Sequence, residues 1–162
     1  MKILLLGLSG SGKSTVDKLI AEKFKLKLVE ADDKVEEING GTWPDNDETI
    51  TKGFRIANDE ALLLDNILYV ISWLTHKEIK KFVKAGFRIV EMHAEFDELV
   101  RRKKERDNIS PEKIEKFKLT YIEYFNTILN ENIKDTYVVS IDSTNLTTQQ
   151  IADKIIAQHI IR

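Results

Sequence analysis

Three glycines, one lysine and four hydroxyls fall within the stretch Gly7-Leu8-Ser9-Gly10-Ser11-Gly12-Lys13-Ser14-Thr15. Those residue types at that spacing suit the binding of a phosphate chain. Glycines let backbone bend tightly and approach a ligand without a Cβ in the way. Successive amides of Gly7, Ser9, Gly10, Ser11 and Gly12 can then form an anion nest, reinforced by the N-terminus of a following helix. Lys13 brings a mobile positive charge to the β and γ phosphates, and the Ser14 hydroxyl is placed to ligate Mg²⁺. Thr15 packs there or contacts the α phosphate. The spacing is that of G-x-x-x-x-G-K-[ST]. A bare glycine turn before a helix is the plainer use of such residues. The context argues for phosphate: Lys2-Ile3-Leu4-Leu5-Leu6 reads as a buried strand, and Val16 to Phe24 has helical spacing.

Further charges have a place in this chemistry. Leu26-Lys27-Leu28-Val29 reads as a second strand, delivering Glu30-Ala31-Asp32-Asp33 to its C-terminal end. In open α/β sheets that edge carries the ligand crevice. Asp32 is the candidate for taking an acceptor's hydroxyl proton, or for orienting the metal shell through water; Asp33 stands second for the same task. A solvated acidic turn is the competing reading. Arg102 and Arg106 are one helical turn apart and share a face, so one can stack on adenine while the other reaches the transferred phosphate. An exposed cationic helix end would use the same residues with Arg101, Lys103 and Lys104. Closure of a segment at about 103–111 would exclude water from the reaction. Arg55 faces the acceptor or a surface salt bridge. Trp43 stacks on a ring substrate or packs. His93 reads as a satisfied buried histidine, and His76 and His159 point to no chemistry.

These residues need an α/β framework. Apolar runs alternate with helical segments, which predicts a mostly parallel sheet between helical layers. Strands are expected at 66–72, 87–93 and 137–141 besides the first two. Helices are expected at 34–38, 48–64, 75–85, 96–106, from Ser110-Pro111 to about Leu129, and from Thr147 to about His159. Thr75-His76-Lys77-Glu78 is a capping box, and Thr147-Thr148-Gln149-Gln150 opens the final helix. Asn39 to Asp47 is the longest loop signal, inside an acceptor-side region at about 33–64.

The chain has 162 residues, which predicts one domain, 1–162. Its net charge of −2 supplies no global basic field for nucleic acid. With no cysteine, disulfides and cysteine metal sites are excluded, and a reducing compartment fits. The N-terminal apolar run is too short for a signal peptide or a membrane span, so a cytoplasmic protein without membrane attachment is expected.

The opening loop, the five expected strands and the basic segment before the penultimate helix resemble the small P-loop kinases: shikimate, gluconate, adenylylsulfate and nucleoside monophosphate kinases. The loop is especially similar to that of adenylylsulfate kinases, and Glu30-Ala31-Asp32 looks like the Asp-Gly-Asp after their second strand. Leu99, Arg102 and Arg106 resemble the lid of gluconate and nucleotide kinases, where arginines clamp ATP. Ser72 ends the third strand as in gluconate kinases, without the Asp of a standard Walker B motif. Asp142-Ser143-Thr144-Asn145 matches the adenine-side loop in position. The resemblance implies a three-layer sandwich of the P-loop nucleoside triphosphate hydrolase fold with a five-stranded parallel sheet. It also implies ATP and Mg²⁺, and a chain acting as monomer or homodimer on a small-molecule acceptor. Arginines that gluconate and adenylylsulfate kinases carry near Asp45 to Thr49 and at Glu36 are absent here. The acceptor is therefore left open, with a metabolite hydroxyl in first place. A nucleotide or polynucleotide 5′-end kinase is the alternative, and the one reading that would involve nucleic acid. An ATP-binding regulatory module without acceptor activity is the third. No Asn-Lys-x-Asp guanine motif is present, and Asn130-Glu131-Asn132-Ile133 does not supply it.

Overall fold

The computed structural model describes residues 1–128 and 136–158. The expected helix ends at Leu129 and His159, and the segment 130–133, lie outside the described residues. β1 (Lys2–Leu6), β2 (Lys27–Glu30), β3 (Ile67–Ile71), β4 (Arg88–His93) and β5 (Tyr137–Asp142) form one parallel sheet in the order β2-β3-β1-β4-β5. β1 lies at the centre, with Leu6 in register with Ile71 on one side and Glu91 on the other. All the strand C-termini therefore share one edge, and the phosphate loop leaves from its middle.

The alternation within β1 sets the layers. Ile3 and Leu5 face one cluster with Val16 and Ile20 of α1 (Lys13–Phe24) and Ile151 and Ile155 of α7 (Thr148–Ala157). Leu4 and Leu6 face the other cluster. It holds Ala57 and Ala61 of α3 (Asp47–Leu63), Ile79 and Phe82 of α4 (His76–Lys84), Leu99 of α5 (Phe96–Asp107) and Tyr124 of α6 (Pro111–Thr127). Period-2 side chains on a strand buried on both faces give helix, sheet, helix. The expected three-layer α/β sandwich with a five-stranded parallel sheet is present.

Local signals act as expected at the caps. Thr75 and Glu78 form their capping box, and Thr147 pairs with Gln150 in the same way. Ser110 accepts from the Lys113 amide ahead of Pro111 at the first position of α6. The structure differs after β2: α2 (Ala31–Ile38) starts directly after Glu30, earlier than the expected helix at Lys34. Asp32 and Asp33 occupy its first turn, where carboxylates complement the N-terminal dipole. β3 is shorter than expected because Asn66 sits at φ 52 and Ser72 already leaves the strand. The expected mobile segment 103–111 divides into the end of α5, a link at 108–110 and the start of α6. Among the described residues no helix is long and apolar enough to cross a membrane.

Candidate active site

A cavity of about 290 Å³ opens at the sheet edge, lined by Ser9, Gly10, Gly12, Lys13, Ser14, Thr15, Glu30, Asp32, Val70, Ile71, Ser72, Arg102 and Arg106. Residues from β1's loop, β2, β3 and α5 thus meet on one surface although up to 97 positions separate them (Ser9 to Arg106). Parallel topology produces the meeting, because each strand delivers its following residue to the same edge.

The loop is built by close approach. A Cβ on Gly7 would stand 2.2 Å from the Met92 carbonyl oxygen, so β4 packs directly on the first loop glycine. Gly12 caps α1 in the left-handed region at φ 96, and Gly10 is at φ 91. The Lys13 ammonium donates to the Gly7 and Leu8 carbonyls. Lys13 is 9% exposed, and burial lowers its ammonium to about 8, with Asp32 and then Glu30 opposing that shift. Asp32 is thus the leading charge partner of Lys13. Its own carboxyl is raised by enclosure and by Asp33 and Glu36, while Lys13 pulls it down. Ser14 is exposed to the cavity; Ser11 is fully buried. The Thr15 hydroxyl donates to the Gly12 carbonyl at 2.6 Å and so closes the first turn of α1.

Arg102 is held on every edge. Its Nε donates to Glu98 at 2.7 Å. One terminal nitrogen donates to Gly10 O at 3.0 Å and Ser143 Oγ at 3.2 Å, the other to Ser143 O at 2.8 Å and Thr144 O at 3.4 Å. A guanidinium has five N–H donors in one plane, and here all five are engaged by protein, which leaves the flat faces for a ligand. Arg101 first, then Arg102, hold the Glu98 carboxyl down at about 2. Arg106 pairs with Asp107 and also donates to Ser9 Oγ at 3.2 Å.

The structure separates two of the expected acceptor residues from this cavity. Asp33 lines a different concavity with Lys34, Glu37 and Glu60. Adjacent residues in a helical turn point about 100° apart, and the phase of α2 turns Asp32 to the site cavity and Asp33 to the other concavity. Arg55 lines a third concavity with Asp47, Glu48, Thr51 and Lys52 of the same helix face. Trp43 packs edge-on against Phe54 with ring centroids 6.2 Å apart. His93 meets Glu91 at 2.9 Å, satisfied as expected but half-buried rather than buried, because it stands at the C-terminal end of β4. His76 contacts the Thr127 carbonyl and ties α4 to α6.

Sequence reasoning missed Asp17, which is fully buried, raised by that burial, and a charge neighbour of Lys13 and Glu30. Its position one turn after Lys13 was the available signal. Ser143 is also fully buried, accepts from Arg102 and donates to Ser11 O at 2.8 Å. The resemblance places it in the adenine-side loop, but no local signal gives its bonds to Arg102 and Ser11, which lie across the sheet edge.

The donor set fits a magnesium nucleotide. Ser14, Glu30 and Asp32 offer oxygen alone, which suits a hard cation, and Lys13 and Arg106 offer charge to phosphates. Among the described residues no three acidic or histidine side chains gather into a metal cage. Mg²⁺ needs none, being held by one or two protein oxygens with water and phosphate.

A parallel sheet with a glycine phosphate loop at its centre and cations folded over it defines a P-loop phosphotransferase of the small-molecule kinase class. The sequence model of the shikimate kinase family matches residues 9–159, and the chain belongs to that family. It is similar to the shikimate kinase of Enterococcus faecalis, with 26% identity over 163 residues and 96% of each chain covered. Its fold is similar to that of the Acinetobacter baumannii shikimate kinase solved with shikimate: TM-score 0.77, 15% identity, covering 99% of this chain and 95% of that one. The Bacteroides thetaiotaomicron shikimate kinase gives a TM-score of 0.75 at 16% identity, covering 97% and 95%. A gluconokinase from Sinorhizobium meliloti gives 0.63 at 18%, covering 97% and 90%. The chain is an ATP-dependent small-molecule kinase, and its family uses ATP with Mg²⁺.

Proposed function

We propose that this kinase moves the terminal phosphoryl group of ATP to a hydroxyl of a small polyhydroxylated metabolite. The observation that supports it best is Asp32 standing in the same cavity as Lys13 and Ser14, as the leading charge partner of Lys13. Phosphoryl transfer needs alignment and charge neutralisation more than covalent help.

In this reading the loop amides and Lys13 hold the β and γ phosphates, and Arg106 neutralises charge on the transferred group. Arg102, with its in-plane donors taken by protein, offers a face to adenine. Ser14, with Asp32 nearby, would hold Mg²⁺, which when bound would neutralise charge on the phosphates. Asp32 takes the acceptor's proton. Its carboxyl is raised toward the working pH, which favours a proton acceptor. Glu30 and Ser72 line the same end and present oxygen to hydroxyl donors. Among the described lining residues the cations are Lys13, Arg102 and Arg106, all engaged with the loop side, while Arg55 lies elsewhere. That distribution favours a hydroxyl-bearing acceptor over one carrying its own phosphate.

The test is ADP release with Mg²⁺ and ATP against a panel of acceptors, with Lys13→Ala as background. Shikimate and gluconate come first, because relatives carry those names. Uncharged polyols, nucleosides, nucleoside monophosphates and a 5′-hydroxyl oligonucleotide complete it. Stimulation by one polyhydroxylated metabolite is the expected result. Stimulation confined to nucleotides or the oligonucleotide would move the assignment to that class. A flat panel with ATP still bound would favour the regulatory module.

A further inference from the structure

Two cations converge on one small hydroxyl at the rim of the cavity. Lys103 Nζ lies 3.1 Å from Ser9 Oγ, and an Arg106 terminal nitrogen lies 3.2 Å from the same atom. Lys103 is not free to swing away. Its stem packs on the loop, where a Cβ on Gly10 would meet Lys103 Cγ at 3.6 Å. Its ammonium sits 4.8 Å from the centroid of the Phe117 ring of α6, and Phe117 stacks on Phe96 at 6.0 Å. The side chain is half-buried, and burial with the neighbouring Arg106 charge lowers its ammonium.

The hydroxyl's valence decides what this does. A serine oxygen has two lone pairs and one proton. Both lone pairs of Ser9 face cationic donors, so its proton is left to donate. Among the described residues Ser9 Oγ donates to no protein acceptor, and Ser9 lines the cavity. Two cations behind an oxygen withdraw electron density and strengthen its O–H as a donor, as charge-assisted bonds are stronger than neutral ones.

We infer that the Ser9 hydroxyl is a polarised hydrogen-bond donor to the terminal phosphate of the bound nucleotide, and that Lys103 is the positioning residue that orients and polarises it. The inference rests on the reading above that Arg106 serves that same phosphate. It adds a side-chain donor to a loop otherwise read as binding through backbone and Lys13. It also links α6 to the phosphate loop, because the Lys103 ammonium is shared between Phe117 and Ser9.

The test compares affinities by calorimetry for two probes, Mg²⁺ with a non-hydrolysable β,γ-imido ATP analogue and Mg²⁺ with ADP. It needs no acceptor, so its outcome is independent of the acceptor's identity. Lys103→Met keeps the stem and removes the charge. It is expected to weaken the ATP analogue about tenfold and ADP less than twofold, the loss of one charge-assisted bond. Ser9→Ala is expected to do the same. The double variant is expected to match Ser9→Ala alone, because Lys103 acts through that hydroxyl. Lys103→Arg should restore most of the affinity, and the exposed neighbour Lys104→Met should change neither probe. Equal losses for both nucleotides, or additive losses in the double variant, would overturn the inference and make Lys103 a general electrostatic or packing residue. Unfolding midpoints measured alongside identify a variant that has lost its fold, and Lys103→Arg then carries the comparison.

Discussion

Arg102 and Ser143 are joined twice. One guanidinium nitrogen donates to the Ser143 hydroxyl at 3.2 Å and the other to its carbonyl at 2.8 Å. The hydroxyl in turn donates to Ser11 O at 2.8 Å, and the guanidinium reaches Gly10 O at 3.0 Å. The loop after β5, the phosphate loop and α5 are thereby one hydrogen-bonded unit. Lysine cannot replace a planar five-donor fork. Arg102→Lys is expected to raise the KM for ATP about tenfold and lower the Tm by several degrees, as breaking such a charged network costs about 1.5–3 kcal/mol. Steady-state kinetics and thermal unfolding check both; an unchanged KM would show that the network does not shape the nucleotide site.

The two carboxylates at the start of α2 should separate sharply. Asp32 lines the cavity with Lys13, whereas Asp33 lines the concavity with Lys34 and Glu60. Asp32→Asn is expected to lower kcat about a hundredfold, within the range of a lost general base, with the KM for ATP near that of the parent. Asp33→Asn is expected to stay within about twofold, as for a surface change away from the reacting groups. Equal kcat losses would mean that the helix moves as a whole during turnover.

Lys13 carries a stability cost with a defined pH window. Burial lowers its ammonium from 10.5 to about 8, so between these values the unfolded chain binds more protons than the folded one. Stability then rises with pH across that window, and the cost is fully present below 8. Lys13→Met abolishes transfer, yet is expected to be more stable than the parent at pH 7 by about 1–3 kcal/mol. That gap should shrink toward pH 10, as measured by urea unfolding at several pH values. A gap that does not change with pH would rule out the ammonium as its source. For the same reason ATP affinity should fall as pH rises through the region of the Lys13 titration.

Glycines in the chain should differ by an amount set by their neighbours. A Cβ on Gly7 would meet the Met92 carbonyl oxygen at 2.2 Å, backbone that cannot move without disturbing β4. Gly7→Ala is expected to cost about 3 kcal/mol or more through overpacking. Gly40 is at φ 76 with open space around it, so Gly40→Ala should cost only about 1 kcal/mol of left-handed strain. Chemical denaturation of both variants checks the order.

Glu91 is fully buried in β4 and accepts from the Tyr124 hydroxyl at 2.8 Å and the Ser140 hydroxyl at 2.6 Å, beside His93. A buried carboxylate left short of a donor bears its desolvation penalty. Tyr124→Phe is expected to destabilise by about 1–3 kcal/mol, and the double variant with Ser140→Ala to depart from additivity by at least about 0.5 kcal/mol. Losses within experimental error in equilibrium unfolding would show that water replaces the lost donor.

The sequence by itself determined the phosphate loop, the strand and helix that flank it, the alternation of strands and helices, and the capped helix starts at Thr75, Ser110 and Thr147. All of these are local: glycine at left-handed φ, a threonine three residues before a glutamate or glutamine, a serine just ahead of a proline, apolar runs buried on both faces. It also placed Asp32 beside the phosphate loop, because strand ends in a parallel sheet share an edge, while the spacing of Arg102 and Arg106 and the resemblance to kinase lids set those arginines over the same loop. Tertiary structure alone decided the rest. The helical phase of α2 put Asp32 in the cavity and turned Asp33 out of it. The seat of α3 left Arg55 in another concavity. Packing of α5 on the phosphate loop and the loop after β5 took four Arg102 donors into bonds distant in sequence, Glu98 of its own helix taking the fifth, and set Lys103 against Ser9. Burial of Asp17, Glu91 and Ser143 depended on what lies across the sheet. Such partners are distant in sequence, and the energies that choose among them are those of close packing and of satisfying buried polar groups, which no local spacing records.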